Sequence, residues 1–239
     1  MSYLQFQEEV LRLYSARDFQ DALKLIEQQG KDYPAHGATV DLLHLCLLNV
    51  CEDSEHALQV FQAAIDKGYW YLTPGLRGDP DLASLQGNAQ FEHLVAICAE
   101  RHAQAQRDAK PELLVLPPAQ DAPQPYPLLL ALHWYGGNAQ DFAEYWRGLV
   151  DQGWLVAAAQ SSQVAGFNAY CWDDTHQAIA EIKGHYASLA HDYPIDPQRV
   201  ALGGFSQGAG LAFWRAVSRD IAAAVFISIG PYLHGLAEI

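Results

Sequence analysis

The sequence predicts an α/β protein in which a mainly parallel sheet follows an all-helical region. A change of period along the chain carries this prediction. Up to about residue 107, apolar residues recur every three or four positions, which is the spacing of one helix face. After residue 107, short apolar runs alternate with helix-like stretches, and strands that alternate with helices form parallel sheets covered on both faces. We therefore predict two domains, 1–107 and 108–239.

The first domain shows its helical spacing in Phe19, Leu23 and Ile26, which fall on one face of a helix. Two similar segments, 21–26 and 56–61, lie about 35 positions apart, close to the ~34-residue period of tetratricopeptide helix pairs. The domain therefore resembles a tetratricopeptide-like array, and a plain helical bundle is the alternative interpretation. Neither interpretation places catalytic chemistry in this domain.

The second domain is predicted to alternate strands with helices. The apolar runs that predict strands are 113–116, 128–132, 155–159, 200–202 and 222–229. The stretches that predict helices are 142–152, 175–190 and 208–218. Glycine and proline separate these elements, as is typical of the turns in such a fold.

The composition excludes several function classes. A formal net charge of -14 argues against binding to nucleic acid or to an anionic membrane surface. No apolar run approaches the ~20 residues of a membrane span, and the first residues lack the basic head of a signal peptide, so we expect a cytoplasmic protein. The four cysteines have no CxxC spacing, which predicts reduced thiols without a zinc site. We expect no metal and no organic cofactor.

The segment with the clearest chemistry is Gly204-Phe205-Ser206-Gln207-Gly208, which joins an apolar strand directly to an apolar helix. A serine on such a sharp turn has a strained backbone and exposes its Oγ above the sheet, where it can attack a carbonyl carbon. The flanking glycines are needed because strand and helix approach too closely for a Cβ. We therefore predict Ser206 as a catalytic nucleophile, the alternative being a tight turn without chemistry.

A second segment, at the end of the strand 128–132, supports this prediction. It is the glycine-containing loop that includes Trp134, Gly136 and Gly137. Such a loop donates one backbone N–H to the oxyanion of a tetrahedral intermediate, and the residue after the nucleophile donates another. We assign these two donors to Tyr135 and Gln207. For His133, which precedes Ser206, we favour a hydrogen bond that holds the loop.

Several motifs of the second domain together resemble one known family. They are the Ala-Leu-His-x-x-Gly-Gly-Asn-x-x-Asp-Phe loop, Cys171-Trp172-Asp173, Pro-Ile-Asp-Pro-x-Arg-Val and Gly-Phe-Ser-Gln-Gly-Ala. From about Glu112 onwards the chain is similar to the phospholipase/carboxylesterase family of the α/β-hydrolase fold, which includes acyl-protein thioesterases. The resemblance implies hydrolysis of a small ester or thioester, or of an acylated protein, through an acyl-enzyme on Ser206.

The resemblance also places further residues and shows one departure. The family's loop usually reads His-Gly, whereas this chain has Trp134 after its histidine, which changes the loop geometry and the acyl pocket beside it. Trp172 and Asp173 match a family segment near the mouth of the site, and a structural role for them is equally compatible with the sequence.

The catalytic acid and histidine of the family follow the nucleophile. After Ser206 this chain offers only Asp220, His234 and Glu238, and none of them matches a family catalytic position. We therefore expect a chain that is truncated, with the C-terminal strands of the sheet missing, and nearly inactive as it stands. The alternative hypothesis is a catalytically dead scaffold whose helical repeats bind a peptide or a partner protein.

Overall fold

The computed structural model describes residues 1–217 and 223–232, and everything below refers to these residues. They divide into two compact units, of which the first is Met1–Gln104 and the second begins at Ala105. Predicted features that fall on residues 218–222 or 233–239, among them Asp220, His234 and Glu238, lie outside the described residues.

Helices account for the regular structure of the first unit, which is described throughout. Its helices are α1 (Tyr3–Ser15), α2 (Phe19–Gln29), α3 (Gly37–Val50), α4 (Ser54–Asp66), α5 (Thr73–Gly78) and the start of α6 (Ala89–Asp108), with 3-10 turns at Gly30–Asp32, Pro34–His36 and Pro80–Leu85. Helix α1 begins at a capping box, in which the Ser2 side chain and Gln5 satisfy each other's free backbone N–H groups. Phe6, Phe61 and Phe91 are fully buried in the core of this unit, where the ring centroids of Phe61 and Phe91 lie 5.8 Å apart.

The second unit is built on a mixed, mainly parallel sheet, as the alternating pattern predicts. The sheet strands are β1 (Glu112–Leu116), β2 (Tyr126–Leu132), β3 (Leu155–Gln160), β6 (Ile195–Phe205) and β7 (Val225–Ile229), in the order β1-β3-β2-β6-β7. Strand β1 runs antiparallel to β3, and the other neighbours pair in parallel. The helices that accompany the strands are α7 (Ala139–Glu144), α8 (Arg147–Val150), α9 (Thr175–Asp192) and α10 (Gln207–Val217).

Alternation along the central strand β2 separates two hydrophobic layers. Leu128, Leu130 and Leu132 belong to a cluster that includes residues of α9 and α10. Leu129 and Ala131 belong to a second cluster, which includes residues of α7 and α8. Both faces of the sheet are therefore covered at β2, which explains why this strand is a continuous apolar run.

The structure differs from the predicted elements in two places. The helix predicted at 142–152 is two shorter helices, α7 and α8, because the chain turns at Tyr145 and Trp146. The Trp146 ring packs edge to face on Phe142 and lies beside Gly203 of the sheet, so a tertiary contact overrides the local helical pattern. The structure also contains an unpredicted hairpin of β4 (Gln163–Gly166) and β5 (Ala169–Cys171).

Candidate active site

Strands β2 and β6 bring the two predicted site segments to the same edge of the sheet. Leu132 pairs with Gly204 in parallel register, so the loop after β2 and the turn after β6 leave the sheet side by side. At that edge Ser206 adopts a φ of +50°, in the left-handed region that residues with a Cβ avoid. Its N–H donates to Ile229 at 2.9 Å, and its carbonyl oxygen accepts from Gly210 and Tyr232 at 3.0 Å each. Backbone bonds to α10 and to the end of β7 therefore hold the strained turn.

The two glycines that flank Ser206 are required by close backbone contacts. A Cβ on Gly204 would lie 2.4 Å from the carbonyl carbon of Gly208. A Cβ on Gly208 would lie 2.2 Å from the carbonyl oxygen of Leu132 and 2.4 Å from that of His133. The first helical turn of α10 therefore packs directly on the strand it follows and on the end of β2. No side chain fits between these backbones.

The loop after β2 is fixed at both ends by backbone hydrogen bonds. Gly136 has a φ of +79° and donates its N–H to the Tyr170 carbonyl at 2.8 Å. The Tyr170 N–H donates to Gly137 at 2.9 Å, and the Gly137 N–H donates to Trp134 at 3.0 Å. Strand β5 of the hairpin thus pairs with the loop and holds it in place, which is a role that the sequence did not reveal.

His133 is completely buried in this loop, and its ring is held at both nitrogens. Its Nδ1 lies 2.8 Å from the Trp134 carbonyl oxygen, which can only accept, so Nδ1 carries a proton. Its Nε2 lies 3.5 Å from the amide nitrogen of Gln160, whose oxygen is taken by the N–H of Ala139 at 2.9 Å. A second proton, on Nε2, would point at the N–H of Gln160 and find no acceptor there. Burial lowers the pKa of His133 to about 4, and the Trp134 bond opposes that shift.

The side chain of Gln207 connects the nucleophile turn to the segment at Trp172. Its Oε1 accepts from the Trp172 N–H at 2.9 Å, and its Nε2 donates to Asp173 at 2.7 Å. The Trp172 indole N–H in turn donates to the His133 carbonyl oxygen at 2.9 Å. Gln207, Trp172 and His133 therefore form one polar chain, which joins the residue after Ser206 to the loop after β2.

Aromatic side chains lie on the other side of this sheet edge. The Trp134 ring is edge to face with the rings of Phe142, Tyr145 and Phe205, at centroid distances of 5.7, 6.2 and 6.1 Å. Phe205 is 42% exposed and Tyr145 is 75% exposed, whereas Phe142 lies in the core. We call Trp134, Tyr145 and Phe205 the aromatic shelf. The ring of Trp134 fits because Gly137, which packs against it, has no Cβ.

The predicted site residues thus belong to one connected arrangement around Ser206. They are His133, Trp134, Tyr135, Gly136, Gly137, Trp172, Asp173, Ser206 and Gln207. Tyr135 is half exposed, and partial burial, followed by the proximity of Cys171 and Asp173, raises the pKa of its phenol. Sequence reasoning missed Gln160 and Tyr170, whose roles come from contacts between separate strands.

A second polar cluster lies in the helical unit, at Cys46, Asp79 and Asp81. Their ligand atoms all lie within 4.8 Å of one another, as in a metal site. However, the Tyr14 hydroxyl reaches both carboxylate oxygens of Asp81, at 2.9 and 2.7 Å, and the Cys46 thiol contacts Asp79 at 3.6 Å. Burial, reinforced by the two carboxylates, raises the pKa of the Cys46 thiol, so the cluster is held together by hydrogen bonds from a protonated thiol and a phenol to the two carboxylates.

Comparison with known proteins gives a family match in the helical unit. Residues 2–106 match a family described as "A/B hydrolase-like, N-terminal domain". The tetratricopeptide-like interpretation of this region stays a prediction. Of the described helices, none is both long enough and apolar enough to cross a membrane.

Two curated proteins, named as a depolymerase and an esterase, are similar to part of this chain. A poly(3-hydroxybutyrate) depolymerase of Ralstonia pickettii is 27% identical over 104 residues, which are 39% of this chain and 21% of that protein. A probable feruloyl esterase C of Aspergillus niger is 32% identical over 114 residues, which are 44% of this chain and 40% of that protein. The chain thus spans less than half the length of either relative.

One solved structure extends along the whole chain. An uncharacterized protein from Bacillus cereus ATCC 10987 is 28% identical and covers 100% of this chain and 76% of its own, with a TM-score of 0.45. The family match in the helical unit, the mixed sheet and the turn at Ser206 together indicate an α/β-hydrolase-like fold with many helices.

Proposed function

We propose that this protein is a serine hydrolase that cleaves carboxylic esters or thioesters, with Ser206 as its nucleophile. The observation that carries the proposal is the backbone of Ser206, which is held at a φ of +50° between two glycines that cannot carry a Cβ. Such strain is retained where the surrounding structure enforces it, and it is concentrated at functional sites. The named activities of the two sequence relatives, an esterase and a depolymerase, support the same reaction class.

In the proposed reaction, Ser206 Oγ attacks the carbonyl carbon of the ester, and its proton passes to a general base. The carbonyl oxygen becomes an oxyanion, which accepts hydrogen bonds from the backbone N–H groups of Tyr135 and Gln207. Collapse of the tetrahedral intermediate breaks the bond to the leaving alcohol or thiol, which takes the proton from the base. Water then cleaves the acyl-enzyme by the same steps and releases the acid.

The general base of this mechanism is not His133. Its Nδ1 is committed to the Trp134 carbonyl, and its Nε2 faces an amide N–H in a fully buried site. The described residues after Ser206 include no histidine, aspartate or glutamate. The family resemblance places the acid and the base after the nucleophile, and we assign them to residues outside the described part of the protein.

Labelling with a fluorophosphonate tests the nucleophile. The protein is expressed from its complete reading frame as wild type, as Ser206→Ala and as Ser188→Ala, which removes an exposed serine of α9. We expect the first and third forms to label at the same rate, peptide mapping to place the label on Ser206, and Ser206→Ala to remain unlabelled. Equal labelling of wild type and Ser206→Ala would show that this serine is not the nucleophile.

Hydrolysis of a matched substrate pair distinguishes the two acyl donors. Phenyl acetate and S-phenyl thioacetate differ only in the atom that leaves with the phenyl group. We expect both to be cleaved by wild type and by Ser188→Ala and neither by Ser206→Ala. Cleavage of only one member of the pair would restrict the proposal to that donor.

A further inference from the structure

We propose that the aromatic shelf of Trp134, Tyr145 and Phe205 binds an aromatic ring of the ester that is cleaved at Ser206. This inference rests on the proposed function and names its substrate class. It is carried by the position of the shelf, the exposure of its rings and the geometry between them.

The position of the aromatic shelf beside the reacting ester follows from the order of residues in the sequence. Phe205 immediately precedes Ser206, so their Cα atoms are about 3.8 Å apart. Trp134 immediately precedes Tyr135, which we assign as an oxyanion donor. Both ends of the shelf are thus neighbours in sequence of residues that would touch the reacting ester, and a group attached to that ester has the shelf within reach.

The two faces of the sheet edge offer different surroundings to the ester. Gly203 faces the Trp146 side of the sheet, and alternation along β6 directs Phe205 to the same side. Gln207 and Trp172 form the polar chain on the other side, with the exposed carboxylate of Asp173. An apolar portion of a substrate therefore fits the Phe205 side, and a hydroxyl or another hydrogen-bond donor fits the Asp173 side.

The geometry of the shelf favours a ring over an alkyl chain. Interplanar angles of 83° for Trp134 with Tyr145 and 84° with Phe205 show that the Trp134 ring already contacts both other rings edge to face. Aromatic rings attract one another through their quadrupoles in this arrangement, by more than their buried area alone provides. A further aromatic ring on the exposed parts of Tyr145 and Phe205 would gain the same quadrupole attraction. A saturated ring has no such quadrupole.

Binding to an inactive variant tests the inference without requiring catalysis. N-Methyl-3-phenylpropanamide and N-methyl-3-cyclohexylpropanamide differ only in the aromaticity of the ring on the acyl side. N-(2-Phenylethyl)acetamide and its cyclohexyl analogue place the same rings on the leaving-group side. Dissociation constants are measured by calorimetry with the Ser206→Ala protein. We expect the phenyl member of at least one pair to bind about 2- to 10-fold more tightly.

Shelf variants in the Ser206→Ala background complete the test. Tyr145→Leu alters a residue that is 75% exposed and keeps an apolar side chain at that position, and Phe205→Leu removes the second exposed ring. We expect each variant to reduce the phenyl preference, whereas Phe167→Leu, which alters an exposed ring between β4 and β5, keeps it. Equal binding within both pairs, no binding, or a preference that both shelf variants retain would overturn the inference.

The labelling experiment and the binding experiment test the two proposals independently. If Ser206 labels but the phenyl preference is absent, the nucleophile stands and the aromatic substrate is wrong. If the preference depends on the shelf but Ser206 does not label, the shelf binds a ring and the proposed reaction is wrong.

Discussion

The Nδ1 atom of His133 lies 2.8 Å from the carbonyl oxygen of Trp134, the next residue in the chain. That carbonyl also accepts the Gly137 N–H at 3.0 Å, so two donors fix its direction. A trans peptide is planar, and its C=O and N–H point in opposite directions. The N–H on the other side of the same peptide is that of Tyr135, our proposed oxyanion donor. The buried histidine therefore orients this donor through the peptide plane.

Replacing His133 by leucine removes one of the two donors to the Trp134 carbonyl. We expect fluorophosphonate labelling of Ser206 to slow about 10-fold or more, because complete loss of an oxyanion donor costs about 10²- to 10³-fold. His133→Asn is the matched variant, since the Nδ2 of asparagine lies where the histidine has Nδ1, and it should lose much less. Thermal unfolding of both variants separates a local change from a loss of the fold. Equal losses at equal stability would contradict this role for His133.

Acidification should destabilise the protein through the same histidine. Its folded pKa is about 4, against an ordinary value of 6.5, with burial as the main cause. Between these two values the unfolded chain binds the proton and the folded chain does not. The contribution of neutral His133 is therefore present above pH 6.5 and is lost as the pH falls toward 4.

Urea unfolding measures this loss. Between pH 7 and pH 4.5 we expect wild type to lose about 2 to 3 kcal/mol more than His133→Asn, because one pKa unit corresponds to about 1.4 kcal/mol. The variant is the control for all other titrating groups, which the two proteins share. If the free energy of unfolding fell equally with pH in the two proteins, the pKa of His133 would not be lowered in the folded protein.

The sequence was sufficient for the features that depend on nearby residues. The class of the second unit follows from apolar runs such as 128–132, which became β2, and from the strand, glycine and helix around Ser206. The loop of Trp134 could be placed beside Ser206 because both follow strands of one parallel sheet. Local pattern and tertiary structure agree in these segments.

The remaining features depend on contacts between distant segments. Gln160 ends β3, yet its amide accepts from Ala139 and faces His133, and no spacing in the sequence indicates that pairing. The hairpin β4–β5 has strands of four and three residues, too short for a clear alternation. Its importance comes from Tyr170, which pairs with Gly137 of the loop.

The glycines of the turn should not tolerate alanine. In Gly208→Ala the new Cβ would lie 2.2 Å from the Leu132 oxygen, and backbone atoms cannot move aside as a side chain can. We expect a loss of at least about 3 kcal/mol in the free energy of unfolding, at the severe end of single substitutions. The control is Gly184→Ala in α9, where no atom lies within 4 Å and helix propensity predicts a gain of about 0.5 to 1 kcal/mol. A Gly208→Ala protein as stable as wild type would refute the close packing of α10 on β2.

Strain at the nucleophile can be measured without any substrate. Ser206 holds a φ of +50°, and the left-handed conformation costs a residue with a Cβ about 1 to 2 kcal/mol. Ser206→Ala keeps that Cβ and therefore the strain, whereas Ser206→Gly removes both. Glycine also has more conformational freedom to lose on folding, which offsets part of the relief. We expect Ser206→Gly to unfold at a free energy about 1 kcal/mol higher than Ser206→Ala, in urea titrations at one pH. The opposite order would mean that the turn is not strained, and the proposal that Ser206 is the nucleophile would lose the backbone strain that carries it.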